Sequence, residues 1–296
     1  MPRFSMLAIV PLAAEPIGEF LNIPVTNSML NAWIAVLFFV GVAFVVSRRI
    51  SMVPKGFYNL IEAVIEFALS EIQKVTEDRP RAKKFLPLVG TIFLFVLVSN
   101  WMGLVPGVGS IGIYELIHGE VELVPLFRPA TSDLNMTLAI AVFSIFYTHL
   151  TGILSVGSLA HFSKFFNIRG IFLSLKKGPI AILVACIEFF VGLIEIVGEF
   201  AKTLSLALRL FGNIFAGEVL IGVMMGMLAF FLPIPFIFLE VLVGIIQATV
   251  FAMLVLAFLV MATTEHAHDE EHAEETHEMH ETPDAHHAPV LTEAMR

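Results

Sequence analysis

Ser205-Leu-Ala-Leu-Arg209-Leu-Phe-Gly-Asn213-Ile-Phe-Ala-Gly-Glu218 sets a permanent cation inside a run that is otherwise apolar enough to lie in a bilayer. An arginine at the middle of a membrane helix costs about 2.5–3.5 kcal/mol on insertion scales, and more by other estimates. A chain carries that cost when the charge has a partner or a task, so the rest reads as a frame around Arg209. The frame is nearly continuous apolar sequence to Ala262, and its one strong breaker is Pro233-Ile-Pro235. The breaker divides two arms, Ile180 to Phe231 and Phe236 to Ala262. The first arm is about 50 residues, or about 75 Å as one helix. A hydrocarbon core is only about 30 Å thick, and ordinary tilt does not absorb the excess. This arm is expected to be steeply inclined, broken, or preceded by a separate short segment.

Composition agrees with a membrane frame. Hydrophobic residues make up 57% of the 296, charged residues 15%, and the mean hydropathy is +0.88. Soluble domains are nearer one-quarter charged, so the chain is expected to be an integral membrane protein. The formal charge of -9 belongs to one end. Ten of the 26 acids but only one of the 17 Lys/Arg (Arg296) lie from Glu265 onward, which leaves 16 of each sign in the remainder. A basic nucleic-acid footprint is absent. The single cysteine, Cys186, lies in an apolar segment and reads as a small core hydrophobe, so no disulfide framework exists.

Three further spans precede the two arms. Asn27 to Val46 ends at Ser47-Arg48-Arg49, with Lys55 soon after, and basic residues mark the cytoplasmic side. Phe85 to Leu104 returns outward, and Leu134 to Leu154 goes back in, followed by Lys164, Arg169, Lys176 and Lys177 with no acid among them. Between the first two spans, Tyr58 to Val75 alternates apolar residues at helical spacing with Glu62, Glu66, Glu71 and Lys74, the pattern of an amphipathic helix on the cytoplasmic face. The loop from Pro106 to Asp133 carries four acids and one base, Arg128, as an external loop allows. Residues 1–26 form an external segment whose first 14 weakly resemble a cleavable signal peptide, 27–262 the membrane domain, and 263–296 a disordered, His-rich, acidic tail. About five crossings from an external start put that tail in the cytoplasm. Its His268-Asp-Glu-Glu-His272 fits a zinc-peptidase pattern, but seven histidines among many acids produce such a match by chance. No metal or cofactor site and no phosphate-binding loop is expected.

The charges of the long arm are ordered. Glu188, Glu195, Lys202 and Arg209 are each seven apart, with Asn213 four beyond Arg209 and Glu199 four beyond Glu195. At about 100° per residue these share one helix face. Glu218, nine past Arg209, points roughly the opposite way. On the second arm Glu240 and Gln247 share a face, seven apart. Two readings are open. The charges pair to hold helices together, Glu195 or Glu199 with Lys202 for example. Alternatively, carboxylates on two faces line two aqueous routes, and Arg209 stands between them. Arginine suits that position because it keeps its proton even when buried, whereas lysine loses its own more readily.

These residues also carry a family resemblance. The run from Ser205 to Glu218 closely resembles the signature of subunit a of F-type ATP synthases. The match continues through Gln247-Ala-Thr-Val-Phe251 and Met261-Ala-Thr-Thr-Glu-His266. Upstream, Pro129-Ala-Thr-Ser-Asp133-Leu-Asn-Met-Thr-Leu138, Ser99-Asn-Trp-Met-Gly-Leu-Val-Pro106 and Thr26-Asn-Ser-Met29 also fit, so the resemblance covers about Val25 to His266. It implies an all-α membrane protein of the bacterial plasma membrane whose last two helices form an inclined hairpin against a ring of c subunits. Peripheral-stalk b subunits, the remaining synthase subunits and lipid would be its other partners. Protons would enter one half-channel, neutralise a ring carboxylate, ride the ring and leave by the other. Arg209 matches the family's essential arginine. Glu218 matches the acidic position of the outer half-channel, with Asn213 and Gln247 as polar companions, and Glu195 matches a carboxylate of the inner route. Glu199, Glu188 and Lys202 are assigned to that inner route or to structural pairing. ATP chemistry would happen on other subunits. Two positions depart from the pattern. Glu240 stands where many bacterial members have His, so two acids would share the outer route. Thr203 stands where some have Pro, so the helix before Arg209 is expected to be less kinked. A secondary transporter with a midplane site would favour internal repeats, and none is visible. A purely structural scaffold would tolerate Arg209→Lys without a transport defect.

Overall fold

In a computed structural model the described residues are 13–20, 22–48, 56–105, 107–108, 111–117, 120–157, 179–228 and 231–264. The start of the signal-like segment, the basic connection that begins at 158 and the tail from Glu265 lie outside them.

Polar caps set where the helices begin. Thr26 precedes α1 (Asn27–Ser47) and its Oγ1 accepts from the Met29 amide at 3.3 Å. Asp78 precedes α3 (Arg79–Met102), which has Pro80 in its first turn, where a missing N–H costs nothing. Asp133 caps α4 (Leu134–Val156), accepting from the Asn135 amide at 3.0 Å. The amphipathic α2 (Phe57–Thr76) lies between α1 and α3, and its C-cap Glu77 turns the chain with a left-handed φ of 56°. The first arm is one unbroken helix, α5 (Pro179–Met227), of 49 residues. At 1.5 Å per residue it is about 74 Å long, so of the three expected arrangements neither a break nor a separate leading segment applies. It runs straight through Thr203, whose hydroxyl folds back on the Glu199 carbonyl at 2.9 Å. The helix α6 (Pro233–Thr264) starts at the expected breaker.

Four of these helices, α1, α3, α4 and α6, are long and apolar enough to cross a membrane. Their polarity is inverted relative to a soluble protein. Leu37, Val40 and Phe44 of α1 and Phe190, Ile194 and Phe200 of α5 are exposed, while Asn27, Ser28, Asn31, Ser99, Asn100, Thr137 and Gln247 are buried. That distribution suits lipid as the solvent. The apolar core is built by Phe85, Val89 and Val96 of α3, Leu206 and Leu210 of α5, and Phe251, Val255 and Leu259 of α6, with Ala141 of α4. The inner face of α2 joins it through Leu69 and Ile72.

Among the described residues two antiparallel hairpins accompany the helices, and neither is expected from the sequence. In the first, β1 (Pro16–Phe20) pairs with β2 (Ile23–Thr26), Phe20 opposite Ile23. Its turn places Asn22 at φ 66°, a conformation asparagine tolerates better than most residues. In the second, β3 (Gly112–Ile117) pairs with β4 (Glu120–Pro125), Ile113 opposite Val124. Chain then passes through Arg128 and a 3-10 turn, Ala130–Ser132, into α4. Gly103, after α3, lets that turn come close, since a Cβ there would overlap the Pro129 ring.

Candidate ion-conducting site

Three polar groupings lie along α5. The first surrounds Arg209. Ala201, Ser205, Leu208, Arg209, Gly212, Asn213 and Ala216 form one exposed stripe at spacings of three and four. Small side chains dominate it, and a Cβ built on Gly212 meets nothing within 4 Å. Among the described residues no carboxylate pairs with Arg209. Four residues on, Asn213 Nδ2 donates to Gln247 Oε1 at 2.7 Å and so ties α5 to α6. Gln247 is buried, and its Nε2 has no hydrogen-bonding partner among the described residues.

The second grouping lies toward the C-terminal end of α5. Glu218 turns away from the Arg209 stripe and meets Arg128, with Nε 3.3 Å from Oε2. Arg128 is only 2% exposed. Its Nε also donates to Ser132 Oγ at 3.0 Å, and its Nη1 to the Ala13 carbonyl at 3.0 Å. Beside this pair, the carboxyl of Glu240 from α6 lies over the bare Cα of Gly217, where an added Cβ would overlap it. Glu240 is buried, and its Oε1 is without a hydrogen-bonding partner among the described residues. One helical stretch deeper, Asn100 of α3 donates to the Gly244 carbonyl at 3.3 Å and accepts from Thr131 Oγ1 at 2.6 Å. Trp101 Nε1 reaches the Val241 carbonyl at 3.3 Å. The end of α3 thus holds the part of α6 that lies between Glu240 and Gln247.

The third grouping is on the other side of Arg209. Glu199 bonds Lys202 Nζ at 2.7 Å and lies 3.6 Å from His149 Nε2 of α4. Lys202 Nζ stands 5.5 Å from the Phe258 ring centroid of α6, within cation–π range. Of the two carboxylates that spacing offered to Lys202, the pair forms with Glu199. Glu195 is half-buried one turn earlier, and the Glu188 side chain lies outside what the structure describes. Glu199 and Glu218 are 19 residues apart, about 28 Å along the helix, with Arg209 near the midpoint. Among the described residues no three His, Cys, Asp or Glu side chains are placed to hold a metal ion.

Arg128, Ser132, Asn100, Thr131 and Gly217 belong to this site by geometry, though spacing along the arms did not point to them. The available signal for Arg128 was its being the only base in an acidic loop, directly before Pro129-Ala-Thr-Ser-Asp133.

Comparison with known proteins gives the family of the chain. The profile of the ATP synthase A chain matches residues 29–260. ATP synthase subunit a of Syntrophobacter fumaroxidans is 30% identical over 267 residues, covering 90% of this chain and 95% of that protein. ATP synthase subunit a 1 of Syntrophotalea carbinolica is 33% identical over 240 residues, 80% of this chain and 86% of its own length. The subunit a of Moorella thermoacetica is 29% identical over 83% of this chain and 94% of its own. With a matched profile spanning most of the sequence, and relatives aligned over nearly their full length, the chain belongs to the ATP synthase A chain family, subunit a of the F-type enzyme.

Proposed function

We propose that this chain is the stator of the membrane sector of an F-type ATP synthase. In this reading it offers two offset half-channels to the carboxylates of a c-subunit ring, and Arg209 separates them. The observation that carries it is the place of Arg209 on α5, exposed on a stripe of small residues and midway between two acidic groupings about 28 Å apart. A stripe of small side chains lets a partner helix approach closely. A guanidinium on it would attract a passing ring carboxylate and, never losing its proton, would bar direct passage from one half-path to the other. Glu218, Glu240, Asn213 and Gln247 would line the outer half-channel. Glu195 and Glu188 would serve the inner one, with Glu199 and Lys202 as a structural ion pair at its edge. Peripheral-stalk b subunits are further partners. The chain would sit in the bacterial plasma membrane with its N-terminus outside and its C-terminus in the cytoplasm.

The test is Arg209→Ala in the assembled enzyme. Proton-driven ATP synthesis is expected to vanish while the complex still assembles, and normal synthesis by that variant would sink the proposal.

A further inference from the structure

We propose that Arg128 is a positioning residue of the outer half-channel, holding Glu218 in a fixed ion pair and leaving Glu240 as the acid that carries the proton. The inference rests on the half-channel reading above and divides labour between its two acids.

Arg128 is built in, not merely present. Three segments distant in sequence converge on it, together with the adjoining 3-10 turn. Ala13 of the N-terminal segment accepts from Nη1 at 3.0 Å, Ser132 of the 3-10 turn from Nε at 3.0 Å, and Glu218 of α5 from Nε at 3.3 Å. Asn31 of α1 donates to the Arg128 carbonyl at 2.8 Å. Nη2 is buried without a partner among the described residues. Two of the three side-chain acceptors are neutral, so Glu218 is the countercharge the structure provides for a side chain 2% exposed. Breaking a buried ion pair by neutralising one member strands the other charge, which is far costlier than the pair is worth. A carrier must be neutralised and discharged in every cycle, so Glu218 is poorly placed for the work.

Glu240 has the opposite surroundings. Its carboxyl adjoins Gly217, one residue before Glu218, yet Oε1 is bonded to nothing among the described residues. It changes protonation without breaking a fixed pair. It also points the right way along the site. Gln247 lies seven residues on, about 10 Å along the same face of α6, and bonds Asn213, four residues from Arg209. Thus the route from Glu240 to the Arg209 stripe is lined by side chains that both donate and accept, whereas Glu218 faces back toward the N-terminal segment.

The experiment uses the complete synthase reconstituted in liposomes. It reads passive proton flux after removal of the catalytic head, and ATP-driven pumping with the head in place. Glu240→Gln is expected to lower flux ~100-fold, the scale of a lost acid–base group. Glu218→Gln removes the countercharge of Arg128 and so lowers the yield of assembled complex, but it leaves the route through Glu240 in place, so flux per assembled complex stays within ~10-fold of the native value, short of the loss of an acid–base group. Arg128→Gln strands Glu218 and lowers flux ~30-fold, while Arg128→Lys restores most of it and so does the double variant Arg128→Gln/Glu218→Gln, as coupled partners require. Equal losses in Glu218→Gln and Glu240→Gln overturn the inference, as does a double variant no better than Arg128→Gln. If the Arg128 variants do not assemble, the two near-isosteric glutamine variants decide alone. Arg209→Ala in the same liposomes tests the underlying reading separately. Loss of driven transport there, with symmetric Glu218 and Glu240 defects, removes only the assignment of Arg128.

Discussion

At position 217 a single hydrogen decides whether a carboxyl fits. The Cα of Gly217 lies beneath the Glu240 carboxyl, and a methyl there would occupy its space. Alanine is favoured over glycine in a helix by about 1 kcal/mol, so retaining glycine in α5 costs intrinsic helix stability and keeps room for Glu240. Gly217→Val is therefore expected to keep α5 helical, push Glu240 out of place and reduce ATP-driven proton pumping at least ~10-fold, a loss of ~1.4 kcal/mol in transition-state terms. Pumping in inverted vesicles checks it. Arg209, Glu218 and Glu240 were legible in the sequence because a charge inside an apolar run stands out whatever surrounds it. Arg128 was not. A base in a loop looks ordinary, and its burial depends, besides nearby Ser132, on Ala13, Asn31 and Glu218, which only the fold brings together.

At the scale of elements, the helices were readable and the hairpins were not. The apolar runs and the Pro233-Ile-Pro235 breaker marked α1, α4 and α6 closely, whereas α3 begins at Arg79, six residues before the expected Phe85, because its first turns are basic and not apolar. The strands of 16–26 and 112–125 are short, lack strict alternation and contain Pro16, Pro24 and Pro125, so no period-two pattern announced them. The continuity of α5 was likewise open, because its length alone allowed three solutions. Asp133 shows how one residue couples elements. Its Oδ1 caps α4 by accepting from the Asn135 amide, and its Oδ2 accepts from Ser28 Oγ of α1 at 2.8 Å. Asp133→Ala removes the cap and the tie to α1, leaving the Ser28 hydroxyl only its bond with Thr26 Oγ1 at 2.9 Å, and should destabilise the domain by about 1–3 kcal/mol. A lowered midpoint in thermal unfolding of the detergent-solubilised complex is the expected result, with no change for Asp133→Asn beyond a fraction of that.

For the whole molecule, the telling property is what the chain leaves uncovered. Buried asparagines and threonines with exposed leucines and phenylalanines make sense in lipid, but Arg209 and its stripe of small residues do not face lipid comfortably. That surface is expected to be covered by a partner in the assembled enzyme. Gly212→Trp tests this, because a Cβ at 212 starts into open space, with nothing within 4 Å among the described residues. The variant subunit should accumulate in membranes at native levels and lose coupled proton pumping, since an indole on the stripe holds the partner off. Native pumping by Gly212→Trp would mean that the stripe faces nothing.

The unbroken course of α5 has a mechanical consequence. A helix of 49 residues with no proline inside it behaves as a stiff strut, so the distance and angle between its two acidic groupings are set by backbone geometry and not by the loops around them. It acts as a ruler with a phase. One residue inserted between Glu199 and Arg209 would advance the ruler by only about 1.5 Å but turn one end by about 100° against the other. A seven-residue insertion would restore the phase to within about 20° while lengthening the strut by about 10 Å. Angular register and axial offset can thus be varied separately on this one element, and each can be read against the coupling of ion flow to rotation.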